Sequence, residues 1–214
     1  MNASPLRLAA LALALLALAS PARADLVFDF QDHRGALGAT QSFSSMVSPG
    51  KYDPSFQITG KALDGTTTSP QLYVKSSGND ESGLGLASDG DREIAAGRGR
   101  AVDISIAGLK GEYNITSLRF LLGSVQAGEG YFITAGALSG PRLGSGGTDG
   151  SATLSGSNLA YNDFFIQASA GNVLVESATV TGAVPEPASL AMTALGLGAG
   201  LLGYRLKRRG AARA

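Results

Sequence analysis

Ala101-Val102-Asp103-Ile104-Ser105-Ile106 alternates residue by residue, with Val102, Ile104 and Ile106 as its apolar members. In an extended chain that period of two places all the apolar side chains on one face. Strand-like runs recur at short intervals: 26–30, 55–59, 71–75, 115–125, 129–135, 162–168 and 172–181. Glycine-, serine- and threonine-rich connections part them, and helical periodicity is scarce. The pattern predicts an all-β fold of eight or nine short strands, an antiparallel β-sandwich of jelly-roll type. Phe28, Phe30, Tyr73, Ile104, Phe120, Phe132, Phe165 and Val175 are the expected core. Residues 139–156 are expected to form a long flexible loop. No fixed-period repeat and no second domain stand out.

The two ends have a different character. Arg7 precedes an unbroken Leu/Ala run from Leu8 to Ala19, and Ala22-Arg23-Ala24 supplies a small-x-small pattern. That is a secretory signal peptide over residues 1–24, with signal peptidase recognising Ala22 and Ala24 and cutting before Asp25. Its apolar run is 12 residues long, short of the roughly 20 needed to span a bilayer.

Ala188 to Tyr204 is a 17-residue stretch without a charge, followed by Arg205, Lys207, Arg208, Arg209 and Arg213. As a helix it covers roughly 25 Å of a hydrocarbon core near 30 Å. Snorkelling of Arg205 and Lys207 closes the difference. Positive flanks stay in the cytoplasm, so a single transmembrane helix over 188–204 leaves the preceding domain outside and the tail 205–214 inside. Gly196, Gly198, Gly200 and Gly203 make the span weakly apolar, which suits a temporary anchor.

Just before it stands Val184-Pro185-Glu186-Pro187. Each proline fixes its own φ and pushes the residue before it towards extended geometry. The product is a stiff extended strip carrying one charge, either a peptide that an enzyme groove can capture or a spacer before the anchor. The strip, the glycine-rich span and the arginine-rich end, in that order, resemble the PEP-CTERM sorting signal over about the last 30 residues. That resemblance implies recognition by exosortase, a membrane-embedded, transpeptidase-like enzyme of Gram-negative bacteria that make exopolysaccharide. It further implies removal of span and tail and delivery of residues 25–183 to the cell surface or extracellular matrix, passing through an inner-membrane intermediate.

The whole chain has 17 basic and 17 acidic residues. All 17 acids fall between Asp25 and Glu186, against 10 basic residues, so residues 25–187 carry −7. An acidic domain is a poor partner for nucleic acid. The chain has no cysteine, which excludes thiol catalysis and cysteine-based zinc sites.

Catalytic signals are few. His33 is the only histidine and lies in Gln31-Asp32-His33-Arg34-Gly35, which reads as a solvated loop. No serine sits in a Gly-x-Ser-x-Gly elbow. Asn114-Ile115-Thr116 fits a glycosylation sequon but reads as strand. One acidic cluster stands out, where Asn79-Asp80-Glu81 and Asp89-Gly90-Asp91-Arg92-Glu93 flank Gly83-Leu84-Gly85-Leu86. Asp80, Glu81, Asp89, Asp91 and Glu93 are candidate calcium ligands, since calcium takes several oxygen donors. The EF-hand pattern fails, because Ile94 stands where glycine is required and Arg100 where the bidentate glutamate belongs. A solvated acidic loop is the plainer reading. The Gly-Leu-Gly-Leu segment with Asp-Arg-Glu-Ile resembles a stretch of exported PEP-CTERM β-domain proteins, which implies no activity.

Two function classes follow. The first is a noncatalytic surface or matrix protein in contact with exopolysaccharide or biofilm, with no cofactor. The second is a secreted polysaccharide hydrolase or lyase on a jelly-roll scaffold, using carboxylates alone.

Overall fold

The computed structural model describes residues 23–47, 51–76, 81–88, 91–97, 99–111, 113–147 and 150–183. The signal segment up to Ala22 and the segment from Val184 on, with its strip, span and basic tail, lie outside the described residues, as do Asp80 and Asp89. Among the described residues no helix is long and apolar enough to cross a membrane.

Arg23–Ala183 forms one compact unit and is all-β. Its first half holds β1 (Arg23–Asp29), β2 (Gly35–Gly38), β3 (Thr40–Val47), β4 (Lys51–Leu63), β5 (Leu72–Ser76), β6 (Ser82–Leu86) and β7 (Ile94–Ala95). The second holds β8 (Ala101–Ser105), β9 (Asn114–Gly123), β10 (Gly130–Ala135), β11 (Arg142–Gly146), β12 (Gly150–Ser155), β13 (Asp163–Ala170) and β14 (Asn172–Ala183). A 3-10 turn, Gly156–Ala160, precedes β13.

The strands form an antiparallel sheet ordered β11-β10-β13-β8-β4-β3-β1-β14. β14 is the hub. β1 lies along one edge of it, from Arg23↔Ala183 to Asp29↔Ser177. β9 lies along the other, from Asn114↔Ala183 to Gly123↔Leu174, with β12 beyond. Past the end of β1, β14 meets β6 at Val175↔Leu84, and β5 and β2 extend that arm.

Alternation in the sequence becomes alternation in burial. In β8, Val102 and Ile104 are fully buried while Asp103 and Ser105 face outward. Phe28, Phe30, Ile104, Phe120, Phe165 and Val175 are all buried as expected. Phe30 meets Phe43 edge-on at 4.7 Å, and Phe120 on β9 lies 6.1 Å from Phe164 on β13 although those strands are not ladder neighbours. Aromatic rings from separate parts of the sheet thus share one interior.

Tyr73 and Phe132 are corrections to the expected core, for both are only half-buried. Leu72, Val74, Tyr131 and Ile133 take the inner positions beside them. The two rings stand on the opposite face, each under an arginine: Arg92 over Tyr73 at 4.6 Å and Arg142 over Phe132 at 4.7 Å. Residues 139–156 are a second correction. The expected loop contains β11 and β12, which pair with β10 and β9. Glycine and serine weaken intrinsic strand preference, but a ready ladder partner on each side overrides it.

Candidate functional site

The Gly83-Leu84-Gly85-Leu86 motif is β6, and its glycines explain the chain's path above it. Gly83 and Gly85 pair with Lys75 and Tyr73 of β5. A Cβ on Gly85 would lie 2.4 Å from the Arg92 carbonyl oxygen and 2.8 Å from Glu93 Cα. A Cβ on Gly83 would lie 2.9 Å from the Val175 carbonyl oxygen. Alternate glycines in a strand therefore mark where other backbone passes in direct contact. The segment carrying Arg92 and Glu93 uses that space.

Glu93 is 4% exposed. Lys75 Nζ donates to Glu93 Oε1 and sits 2.9 Å from Glu81 Oε2, while Ser124 Oγ donates to Glu93 Oε2 at 3.0 Å. Burial works against the charge on Lys75, but hydrogen bonds to Glu93 and Glu81, with their charges, outweigh it and raise its pKa. Arg92 and Ser124, on either side of this carboxylate, have φ of 61° and 60°. Positive φ is uncommon away from glycine and persists where surrounding contacts fix it. Arg92 Nη1 also donates to Tyr73 Oη at 2.5 Å. Lysine, two carboxylates and a hydroxyl thus clamp the 91–95 segment onto β5, β6 and the end of β9.

Of the candidate calcium ligands, the structure brings Glu81 and Glu93 together, on a shared ammonium. Asp91 lies apart from that pair's hydrogen bonds and accepts from Asn172 Nδ2 at 3.3 Å. Among the described residues no three acidic or histidine side chains are grouped so as to hold a metal ion.

A second buried carboxylate anchors the same connection from its other end. Asp64 Oδ1 accepts from Thr66 N at 2.9 Å and Thr66 Oγ1 at 2.6 Å, and Ser88 Oγ donates to Oδ2. Arg100 Nε is 3.5 Å from Oδ1. Burial raises the Asp64 pKa, but the Ser88 and Thr66 hydrogen bonds and the Arg100 charge prevail and hold it below the ordinary value.

The outward face of β4, β8 and β13 carries a different pair. Asp103 stands between Lys61 and Phe165 in the ladder, and Asp163 lies two rungs along, opposite Ser105. Burial first, then the Asp163 charge, push the Asp103 carboxyl up to about 6, with Lys61 opposing. Asp103 Oδ1 is buried without a hydrogen-bond partner. Lys110 Nζ, close enough to feel Asp163, donates to the carbonyls of Ala160 at 3.1 Å and Tyr161 at 2.5 Å. Burial and the neighbouring Asp163 charge thus keep a proton on Asp103 to a higher pH than an ordinary aspartate holds it.

His33 departs from the solvated loop expected of it. Its ring packs edge-on against Phe43 at 5.1 Å and is half-buried, with Nδ1 enclosed and unpaired. Asn114 to Thr116 opens β9, as read. Ala24 of the signal-peptidase pattern lies within β1, opposite Gly182. Lys75, Ser124, Ser88, Asp64, Asp103 and Asp163 are participants that the sequence did not single out. The glycine alternation at 83 and 85 was the available signal for Lys75 and Ser124. Comparison with known protein families and with curated proteins gives no match.

Proposed function

We propose that the chain is an exported, noncatalytic surface or matrix protein, delivered by the C-terminal signal over 184–214 and placed in contact with exopolysaccharide. The observation that supports this reading is the pairing of Arg23 with Ala183. The compact unit begins and ends within two residues of the boundaries expected for a domain freed of a signal peptide and a sorting segment. Arg23 and Ala183, the first and last residues of that unit, are ladder partners at one end of the β1–β14 pair. On this reading the sheet is a two-layered, jelly-roll-like sandwich, consistent with Phe120 and Phe164 meeting across the interior.

The test is alanine replacement of Pro185, Glu186 and Pro187 with a tag placed after Ala214. Wild type should lose the tag only in cells that contain exosortase, and the variant should keep it in the inner membrane. A wild-type protein that reaches the surface with the tag attached overturns the reading.

The second reading, a carboxylate-dependent polysaccharide hydrolase or lyase, is favoured by one observation: the raised pKa of Asp103 beside Asp163. Under it Asp103 is the proton donor and Asp163 the charged partner. Loss of reducing-end release by Asp103→Asn and Asp163→Asn, with folding intact, would establish it over the first.

A further inference from the structure

Residues 156–162 carry the chain from β12, which pairs with β9, to β13, which lies between β8 and β10. Three residues tie down the arrival point. Lys110 Nζ donates to the carbonyls of Ala160 and Tyr161, Ile106 N donates to Asn162 O at 2.9 Å, and Gly136 N donates to Asp163 O at 3.0 Å. Asp163 is the head of β13, opposite Ser105 and two rungs from Asp103. The charged groups that face Asp103 are Lys61 from β4 and Asp163 from β13, with Lys110 on the far side of Asp163. Neither lysine hydrogen-bonds Asp103 Oδ1, which is enclosed and without a partner. Lys61 is exposed, and Lys110 is committed to its two carbonyls.

We propose that Asp103 and Asp163 form a charge-operated clasp on this crossover: with Asp103 neutral the head of β13 stays closed on β8 and Gly136, and with both ionised residues 160–163 open locally. An ionised Asp103 sets a second negative charge beside Asp163, where partial burial weakens the screening by water. β8 is fixed by Val102 and Ile104, both fully buried on its other face. The head of β13 is freer, because Ala160 and Asn162 are exposed and Asp163 is the strand's first residue. Few buried apolar contacts and a strand end are what a segment of low local stability has. Moving it outward relieves the repulsion and gives up the backbone bonds from Ile106 and Gly136. The closed form holds the Asp103 proton up to about 6, and the open form lets it go towards the ordinary 3.8. Opening therefore grows as pH rises from 3.8 to about 6 and levels off above that.

The experiment is hydrogen exchange of single amides in the full-length chain near pH 4.5 and pH 6.5, corrected for intrinsic rate and repeated at several low urea concentrations. The Ile106 and Gly136 amides report the clasp, and Val180, laddered to both β1 and β9, reports unfolding of the whole domain. Local opening exposes little surface, so urea barely changes it. At pH 6.5 the two clasp amides should exchange with a small urea slope and about tenfold faster than at pH 4.5, the change that one unit of differential proton affinity produces. Asp103→Asn should abolish that difference and keep both amides slow at either pH. Asp163→Asn should shrink it, with Val180 protection showing that the variant folds. Equal exchange at the two pH values in the unaltered chain, a result that needs no variant, overturns the proposal. So does a full urea slope matching that of Val180 at pH 6.5, because Asp103 then acts on global unfolding alone. A pH difference that survives Asp103→Asn overturns it as well.

Discussion

Lys75 on β5 reaches Glu93, a buried carboxylate one residue beyond the positive φ of Arg92, and shares itself with the more exposed Glu81. Removing one partner of such a pair leaves an uncompensated charge in a low-dielectric site, whereas neutralising both does not. Lys75→Met should lower the stability of the domain by about 3 kcal/mol. Lys75→Met combined with Glu93→Gln should recover more than half of that loss. Denaturant melts of the two variants decide the matter, and equal losses in both would mean that the lysine matters only through packing.

Gly85 makes a sharper demand. Its Cβ would collide with backbone at Arg92 and Glu93, which cannot rotate away as a side chain could. Gly85→Ala should cost about 2–3 kcal/mol. Gly144→Ala serves as a control, since its added Cβ comes no nearer than 3.8 Å to Ala152, and it should fall within about 0.5 kcal/mol of wild type. Thermal melts that rank the two variants the other way would refute the close approach of the 91–95 segment.

Asp103 binds its proton more tightly in the folded chain than in the unfolded one, at about 6 against 3.8. The stability it contributes is therefore complete below pH 3.8 and is lost as pH rises through about 6. Asp103→Asn should raise the melting temperature at pH 7.5 and flatten its dependence between pH 4.5 and 7.5. Asp64 has the opposite sign: its folded pKa is depressed, so its contribution is present above pH 3.8 and lost as pH falls through the lower folded value. The two windows do not overlap, and a melting series across both resolves them.

The Lys75 ammonium already pairs with both Glu81 and Glu93, which limits what a divalent cation gains there. Millimolar calcium should move the melting temperature of residues 25–183 no further than magnesium does. A calcium-specific rise of several degrees, abolished by Asp91→Asn, would instead assign the acidic segment to cation binding.

The strands that bury a clean apolar face were legible from sequence, as β8 and β14 illustrate, because alternation directly encodes which side is inside. β11 and β12 were not. Arg142-Leu143-Gly144-Ser145-Gly146 owes its extended form to pairing with β10, the strand just before it, and its glycines and serine carry no apolar alternation to mark it. Tyr73 and Phe132 misled for a related reason: an aromatic ring can satisfy its apolar surface under an arginine on the outer face as well as in the core. The acidic segment was visible as a cluster of charge. Its meaning depended on Lys75 and Ser124, which lie 18 and 31 residues from Glu93. Only the paired glycines at 83 and 85 hinted that backbone would pass there.

The central place of β14 has a consequence for the timing of folding. It is the last of the described strands in chain order, yet it supplies the ladder partners of β1, β6, β7 and β9. No amino-terminal portion can complete its own sheet while the ribosome is still making residues 172–183. Contacts between chain ends so far apart form late, since their loop entropy must be overcome before they give any return. Until β14 arrives, the edges of β1, β6, β7 and β9 that it covers stay unpaired by it and open to other chains.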